Sequence, residues 1–312
     1  MTLLYTSPRL LDHDTGTHPE RADRLRQVVR HLEREELDVQ CQRPEWQPAA
    51  NEALLRCHTA EHLAALEKFA ANGGGQVEED TRMSPESFDV ARLATGAGVD
   101  AVTRVLRGEA RNALCLIRPP GHHALAGAPM GFCLFNNIAV AARAALAAGL
   151  SRVLIIDWDV HHGNGTQDLF YDDPRVGFFS LHRWPFYPGT GDRNETGTGD
   201  GLGATHNIPV TMGTPVKQIL DQYAHELNDF AARIRPELVL VSAGFDAHRD
   251  DPVGNLGLEI EDFIPLTETC CAIAREYAGG KLVSLLEGGY NPGILAGCVA
   301  EHLQVLLNAD NK

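Results

Sequence analysis

The chain has 312 residues, and 44% of them are hydrophobic, which suffices for the core of one large or two ordinary globular domains. Its 27 Lys and Arg residues against 42 Asp and Glu residues give a net charge of -15, which argues against nucleic acid or an anionic membrane as a partner. Seven cysteines without a CxxC pair, no basic leader segment and no apolar run of about 18 residues predict a cytoplasmic protein.

Helical and strand patterns alternate along the chain. Helical spacing of apolar residues predicts helices, and short runs rich in Val, Ile and Leu predict strands. In chain order these patterns give helices at 20–36, 59–71 and 86–106, a strand at 113–117, a helix at 137–148, and strands at 152–156 and 176–181. They continue with a helix at 216–234, a strand at 238–242, a helix at 261–277, a strand at 282–286 and a helix at 294–307. This alternation predicts an α/β fold with a central parallel sheet and helices on both faces. No linker divides the chain, so residues 1–312 form one predicted domain.

A polar cluster follows each of the five predicted strands. The clusters read RPPGHH, DWDVHHGN, HRWPFYPGTG, AGFDAHRDDP and EGGYNPG. In an open α/β sheet the ligand site lies beyond the carboxyl ends of the strands, so we expect these loops to meet at one edge. The glycine-rich stretch 189–203 lacks the Lys-Ser/Thr of a phosphate-binding loop and leads into no predicted helix, so it indicates a rim loop instead.

The second cluster has the residue types of a metal site. On an extended segment alternate side chains face the same side, so Asp157, Asp159 and His161 lie together, with Asp157 one step deeper. Asp246 is the best third ligand, because its neighbours in the loop offer no competing donor. Two carboxylates and one imidazole leave coordination positions open, as in catalytic zinc sites. The alternative is a structural network of Asp and His without an ion, which five converging loops disfavour.

Such a site needs a general base, because two anionic ligands acidify a bound water less than neutral histidines do. His122 and His123 supply an imidazole pair, and Asp157 and Asn164 are available to fix their tautomers. Buried histidines bonded to backbone carbonyls are the alternative for this pair. Tyr290 follows two glycines, and its hydroxyl is a candidate donor to a developing oxyanion, unless it is a turn or packing residue.

Seven motifs resemble those of the zinc-dependent histone deacetylase family, most closely its class II branch with the bacterial histone deacetylase-like amidohydrolases. They span nearly the whole chain in order: HPERADRL (18–25), PPGHHA (119–124), GFCLFNNIAVAA (131–142), DWDVHHGNGTQ (157–167), SLH (180–182), AGFDAHRDDPVG (243–254) and EGGYN (287–291). The resemblance implies the arginase/deacetylase fold and hydrolysis of the amide of N-acetyl-lysine, in a protein or peptide, to a free amine and acetate.

The resemblance also implies a role for each polar residue named above. By it, Asp159, His161 and Asp246 hold zinc, His123 is general base and acid, His122 is its electrostatic partner, and Tyr290 polarises the acetyl carbonyl. Water activated by the metal and His123 attacks the carbonyl, and His123 then protonates the leaving amine. Asn164 makes the partner of His123 neutral, since class I members carry an acid at this position and class II members often have asparagine.

Further residues take roles by the same resemblance. A monovalent cation, K⁺ or Na⁺, binds Asp157 and Ser180 together with the backbone carbonyls of Asp159, His161 and Leu181. Phe132 and Tyr187 form the aromatic walls of an acyl-lysine tunnel, with Gly131 and Val253 beside them. Arg24 is the arginine of an internal cavity that receives acetate. Ordinary core packing is the alternative for the two aromatic residues, and a helix-surface charge is the alternative for Arg24.

Three other functions stay open to different degrees. A binuclear manganese amidinohydrolase of the arginase type shares the fold, but Gly163 and Gly244 stand where its extra carboxylates are needed. An acetylpolyamine or other small acyl-amine substrate is disfavoured by the apolar Val253 at the predicted tunnel mouth. A non-catalytic acyl-binding protein is disfavoured because no predicted ligand or catalytic residue is lost. The sequence leaves open the physiological substrate, the choice between zinc and ferrous iron, and the oligomeric state.

Overall fold

A seven-stranded parallel sheet forms the centre of the structure, a computed structural model that describes residues 1–309. Its strands lie in the order β1-β4-β9-β8-β5-β6-β7, and every neighbouring pair is parallel. These strands are β1 (Thr2–Tyr5), β4 (Asn112–Cys115), β5 (Val153–Asp157), β6 (Val176–Arg183), β7 (Thr205–Val210), β8 (Leu238–Ala243) and β9 (Leu282–Leu286). A separate antiparallel hairpin pairs β2 (Gly75–Gln76) with β3 (Arg82–Met83).

Helices cover the sheet in two layers. They are α1 (Asp23–Arg34), α2 (Asn51–Leu54), α3 (Ala60–Ala71), α4 (Ser87–Leu106), α5 (Asn137–Ala147), α6 (Asn164–Phe170), α7 (Val216–Ile234), α8 (Phe263–Ala278) and α9 (Pro292–Ala309). The helices α4 and α5 pack together over the middle strands, while α1, α9, α8 and α7 contact one another in series as the second layer. The predicted α/β fold class is therefore confirmed.

The sequence patterns missed the two edge strands and the shortest helices. The strand β1 has only four residues, and β7 contains Pro209, which is tolerated at the edge of a sheet because no neighbour needs its backbone donor there. Both lack the long apolar run that marks the middle strands, which are buried on both faces. Residues 310–312 of the predicted domain lie outside the described residues. No helix in the described part of the chain has the length and apolar character that a membrane crossing requires.

The strand register brings the polar loops to one edge. Asp157, the last residue of β5, pairs with Ser180 of β6 on one side and with Ser242 of β8 on the other. The strand β9 ends beside β8, and β4 ends beside β9, so the loops that follow these strands leave the same edge of the sheet. This alignment puts residues that are distant in sequence into one small volume.

A buried ion-pair network joins the N-terminal segment to the loop after β4. Arg118 donates from Nε to Oε1 of Glu20 at 2.9 Å and from Nη2 to Oε2 at 2.8 Å, and Arg24 donates to Oε1 at 3.1 Å. All three side chains are buried. Burial alone would raise the pKa of Glu20, but Arg118 and the nearby His13 outweigh it and hold the pKa well below its usual value.

Removing one member of this network is expected to destabilise the fold. Arg118→Met leaves the Glu20 carboxylate buried with fewer donors, so we expect the free energy of unfolding to fall by about 3 kcal/mol, measured by urea denaturation. Arg104→Met is the control, since Arg104 pairs with Asp100 near the surface and solvent screens that pair. Equal losses in the two variants would contradict a special role for the buried pair.

Candidate metal centre and active site

The segment after β5 bends where an extended chain was predicted. Asp157 Oδ1 accepts a hydrogen bond from the backbone N–H of Asp159 at 3.1 Å, and Asp159 Oδ1 accepts one from the N–H of His161 at 3.0 Å. Each aspartate therefore folds the chain back two residues later, as Asx turns do. The prediction that strand-like alternation brings Asp157, Asp159 and His161 together was wrong in its geometry. Consecutive side-chain turns bring Asp159 and His161 into contact instead.

Three potential ligand atoms meet at this point. Nδ1 of His161 lies 3.0 Å from Oδ1 of Asp159 and 3.1 Å from Oδ2 of Asp246, three residues past the end of β8. All three side chains are buried, and their ligand atoms lie within 4.8 Å of one another. Atoms bound to zinc at about 2.0–2.1 Å lie about 3.3 Å apart in a tetrahedron, so the observed spacing suits a divalent ion.

The hydrogen bonds of the two carboxylates also support a fit to a divalent ion. Among the residues described, Oδ2 of Asp246 is a buried carboxylate oxygen with no hydrogen bond, whereas Oδ1 accepts from the N–H of Val160 at 3.0 Å. Asp159 Oδ2 accepts from the N–H of Gly288 at 2.8 Å. A buried carboxylate oxygen without a donor is rare and costly, and a cation satisfies it. The donor set therefore fits a metal ion better than a closed structural network.

The charges of the three side chains also favour a bound cation. Burial and the neighbouring Asp159 raise the pKa of Asp246 to about 7. Burial opposes charge on His161, but its close contacts with the Asp159 and Asp246 carboxylates raise its pKa to about 9. The two carboxylates thus compete for one cationic partner, and a divalent ion would replace the proton that they share with the imidazole.

Two glycines leave no room for a second set of carboxylate ligands. A Cβ atom on Gly244 would lie 2.1 Å from Oδ2 of Asp159, and one on Gly163 would lie 2.2 Å from Oδ2 of Asp157. Any side chain at either position would displace the aspartate beside it. The cluster therefore suits one divalent ion, and the geometry disfavours the binuclear arrangement of the arginase type.

The two adjacent histidines have opposite electrostatic surroundings. Nδ1 of His122 lies 2.9 Å from Oδ2 of Asp157, and Nδ1 of His123 lies 2.7 Å from Oδ1 of Asn164, the first residue of α6. Burial would lower the pKa of His122, but Asp157 and Asp159 raise it to about 10. Burial and the charges of His122 and His161 hold the pKa of His123 well below its usual value. A charged and a neutral imidazole therefore lie side by side.

Glu287 anchors the backbone of the loop that carries this histidine pair, and the sequence analysis did not predict this role. Its Oε2 accepts hydrogen bonds from the N–H groups of Gly121 at 2.6 Å and His122 at 3.2 Å, and its Oε1 accepts from Oγ of Ser242 at 3.2 Å. The side chain is buried at the end of β9. Its position in EGGYN was a signal, because an acid directly after an apolar strand needs partners.

A cavity of about 210 Å³ opens above the candidate ligands. Its lining includes His123, His161, Tyr290 and the four predicted tunnel residues Gly131, Phe132, Tyr187 and Val253, together with Asp80 and Phe186. Phe132 has a backbone φ of 70°, a strained conformation for a bulky residue that is typical of functional sites. Phe186 was also missed: its ring stacks on His161 at 5.2 Å between centroids and an interplanar angle of 16°.

Tyr290 lines the cavity, and the buried Arg24 contacts its ring. The Tyr290 ring meets the edge of Phe132 at 5.5 Å, and burial raises the pKa of its hydroxyl well above the usual value, so the group stays a donor. The Arg24 guanidinium lies 4.8 Å from the centre of that ring and donates to the carbonyls of Gly289 and Glu287. Arg24 is 1% exposed, so the alternative of a helix-surface charge was wrong.

Of the predicted monovalent-cation residues, Asp157 lies at the end of β5, Ser180 and Leu181 lie on the adjacent β6, and Asp159 and His161 lie in the loop after β5. Ser180 is paired in register with Asp157, and both are buried, as is Leu181. Oγ of Ser180 lies 2.9 Å from Nδ1 of His182. The binding of K⁺ or Na⁺ by these residues stays a prediction.

Known proteins are similar to this chain in sequence and in fold. The histone deacetylase domain matches residues 18–306. The histone deacetylase-like amidohydrolase of Pseudomonas aeruginosa is 38% identical over 283 residues, which cover 90% of this chain and 74% of that protein. The polyamine deacetylase HDAC10 of Homo sapiens is 39% identical over 318 residues, which cover 97% of this chain and 46% of that protein.

The architecture agrees with these matches. The crystal structure of the HDA15 HD domain is 36% identical and superimposes with a TM-score of 0.93, covering 98% of this chain and 89% of that one. The resemblance read from the seven sequence motifs is thereby confirmed. The chain belongs to the histone deacetylase family and is a hydrolase of that family.

Proposed function

We propose that the chain, as a single catalytic domain, is a zinc-dependent deacetylase that hydrolyses the amide of N-acetyl-lysine in proteins or peptides to a free amine and acetate. One observation carries the proposal. Oδ2 of Asp246, which has no hydrogen bond, lies beside Asp159 and His161, and His161 lines an aromatic cavity together with His123. Ligand, base and acyl pocket therefore share one small volume.

Asp159, His161 and Asp246 hold the zinc ion. Two oxygen donors and one nitrogen donor would suit a catalytic zinc site, because such sites take three protein ligands. When bound, the ion supplies a Lewis acid that polarises the acetyl carbonyl and acidifies water. The protein determines where this chemistry takes place, because it buries the three ligands beneath the tunnel.

His123 moves the proton. Its Nδ1–H donates to Oδ1 of Asn164, so Nε2 is the basic atom. Nε2 takes a proton from the attacking water and delivers it to the leaving amine. The low pKa of His123 keeps this nitrogen unprotonated at neutral pH. His122, charged by its contact with Asp157, keeps that pKa low and offsets the negative charge that develops nearby.

Tyr290 and the aromatic walls orient the acetyl group. The Tyr290 hydroxyl donates a hydrogen bond to the oxyanion that forms when water attacks. Phe132 and Tyr187 flank the aliphatic chain of the acetyl-lysine, and Val253 lies beside it at the cavity rim. Their apolar surfaces exclude water from the reacting amide, which strengthens the hydrogen bond from Tyr290.

An acetylated polyamine is the second candidate substrate. The similarity to HDAC10, which is named a polyamine deacetylase, favours it, and so does Asp80, a carboxylate in the cavity lining able to meet a second ammonium group. The apolar Val253 in the same lining favours acetyl-lysine. A parallel assay of acetyl-lysine peptides and acetylated polyamines separates the two by their kcat/KM values.

We also propose two features of the cellular setting. A K⁺ or Na⁺ ion occupies the site formed by Asp157, Ser180 and the carbonyls of Asp159, His161 and Leu181, and the enzyme works in the cytoplasm. All seven cysteines are free thiols and six are buried, which agrees with a reducing compartment.

Removal of the Tyr290 hydroxyl tests the oxyanion donor. Tyr290→Phe should lower kcat on an acetyl-lysine peptide at least tenfold, in line with the usual effect of deleting such a donor. Tyr277→Phe, on α8 outside the cavity, is the matched control and should keep its activity. Unchanged turnover in Tyr290→Phe would exclude this residue from the reaction.

Removal of one candidate ligand tests the metal centre. Asp246→Asn should bind less than one zinc ion per chain by elemental analysis and lose deacetylase activity, because the neutral amide is a poor ligand. Asp229→Asn, an exposed aspartate on α7, is the matched control for which full zinc content is expected. Full zinc content in both variants would refute the role of Asp246.

Exchange of the neutral partner of His123 tests the general base. Asn164→Asp places an anion beside the imidazole, which raises the pKa of His123, so the base stays protonated up to a higher pH. The acidic limb of the pH profile of kcat/KM should therefore move to higher pH. Asn194→Asp on the surface should leave the profile in place. An unmoved limb in Asn164→Asp would show that His123 is not the titrating base.

A further inference from the structure

Arg183, the last residue of β6, contacts three separate segments around the cavity. Its backbone N–H donates to the carbonyl of Val160 at 2.8 Å. Its Nη1 donates to the carbonyls of Gly254 and Asn255, both at 3.2 Å. Its guanidinium carbon lies 4.2 Å from the centre of the Phe186 ring. The half-buried side chain thus links the loops that follow β6 and β8, and the backbone of the same residue is bonded to the loop that follows β5.

Each contacted segment supports a candidate metal ligand. Phe186 stacks on His161 at 5.2 Å between centroids. Val160 lies between Asp159 and His161, and its N–H donates to Oδ1 of Asp246 at 3.0 Å. The N–H of Asn255 donates to the backbone carbonyl of Asp246 at 2.7 Å. The Arg183 contacts therefore lie one step away from all three ligands.

The chemistry of these contacts requires arginine. Arg183 forms no ion pair with a carboxylate among the residues that the structure describes, so its charge is directed at carbonyl oxygens and an aromatic face. A planar guanidinium can donate in its plane while its face lies on a ring, and an ammonium cannot do both. The two carbonyls belong to the 254–255 turn, in which Asn255 adopts a positive φ of 82°, and the hydrogen bonds from Arg183 support this turn.

We propose that Arg183 is a positioning residue of the metal centre. It holds Phe186 against the His161 ring and fixes the 254–255 turn, which is hydrogen-bonded to the backbone of Asp246, so that the ligands from two loops stay at binding distance before an ion arrives. The like charges of Asp159 and Asp246 repel each other, and the Arg183 contacts oppose their separation. This inference rests on the proposed zinc site, because positioning has meaning only if the three residues bind a metal.

Zinc affinity, measured apart from catalysis, tests the inference. Wild-type protein, Arg183→Met, Arg183→Lys and the matched control Arg193→Met are freed of metal with a chelator and titrated with zinc against a chromophoric competitor. Arg193 pairs with Glu226 on the surface and contacts none of the three segments in the described structure. We expect Arg183→Met to bind zinc about tenfold more weakly than wild type, as for other residues that orient metal ligands. Arg183→Lys should recover part of the loss, and Arg193→Met should match wild type.

Two further measurements separate positioning from general damage. The visible absorption of the cobalt-loaded proteins reports ligand geometry, and we expect altered band intensity in Arg183→Met only. The melting temperatures of the metal-free proteins should be similar for Arg183→Lys and Arg193→Met, so that a weaker zinc affinity in Arg183→Lys cannot come from unfolding. Equal zinc affinities in wild type and both Arg183 variants would overturn the inference alone. Wild-type protein that binds no zinc would overturn the inference together with the proposed metal site.

Discussion

The structure depends on holding two buried carboxylates against one imidazole. Asp159 and Asp246 approach the same nitrogen of His161 at 3.0 and 3.1 Å, and neither is exposed to water. The ligand atoms of the two carboxylates lie within 4.8 Å of each other, so their like charges repel in the low dielectric of the interior, and one proton on the imidazole can serve only one of them at a time. The surrounding loops carry the donors that make this arrangement tolerable: backbone N–H groups of Val160, His161 and Gly288 all point at the two carboxylates.

The same arrangement creates the asymmetry of the histidine pair. Asp157 and Asp159 stabilise the charge on His122, and that charge with His161 keeps His123 neutral. The two rings lie 4.0 Å apart, so neither pKa can be set independently of the other. A neutral partner at Asn164 fits this scheme, because an anion there would favour protonation of His123. His122 therefore has carboxylate neighbours, whereas the Nδ1 partner of His123 is an amide. This difference makes His123, and not His122, the imidazole that is free to accept a proton.

Much of the fold could be predicted because long elements repeat a clear pattern. All seven predicted helices and five strands exist within a few residues of their expected ends, and helix 216–234 matches α7 in full. The site residues gathered because parallel strands end at one edge, which follows from the fold class alone. Local features of the site could not be predicted from the sequence. The Asx turns after β5 depend on side-chain contacts, and no sequence pattern distinguishes Phe186, whose ring stacks on His161, from other aromatic loop residues. The partners of Glu287 could not be predicted, because they lie 165 and 166 residues away in the sequence.

The walls of the tunnel and the supports of the metal centre share the same short segments. Asp251 accepts hydrogen bonds from the N–H groups of Tyr290 at 2.6 Å and of Val253 and Gly254 at 2.9 Å, so one carboxylate joins the proposed oxyanion donor to the cavity rim. Val253 faces the cavity, while its neighbour Gly254 lies against the backbone carbonyl of Asp246. A substitution that reshapes the rim at 253 therefore acts on a segment that also supports a metal ligand. Substrate preference can change freely only through side chains that leave this backbone in place, because any shift of the turn moves Asp246 and Tyr290 together.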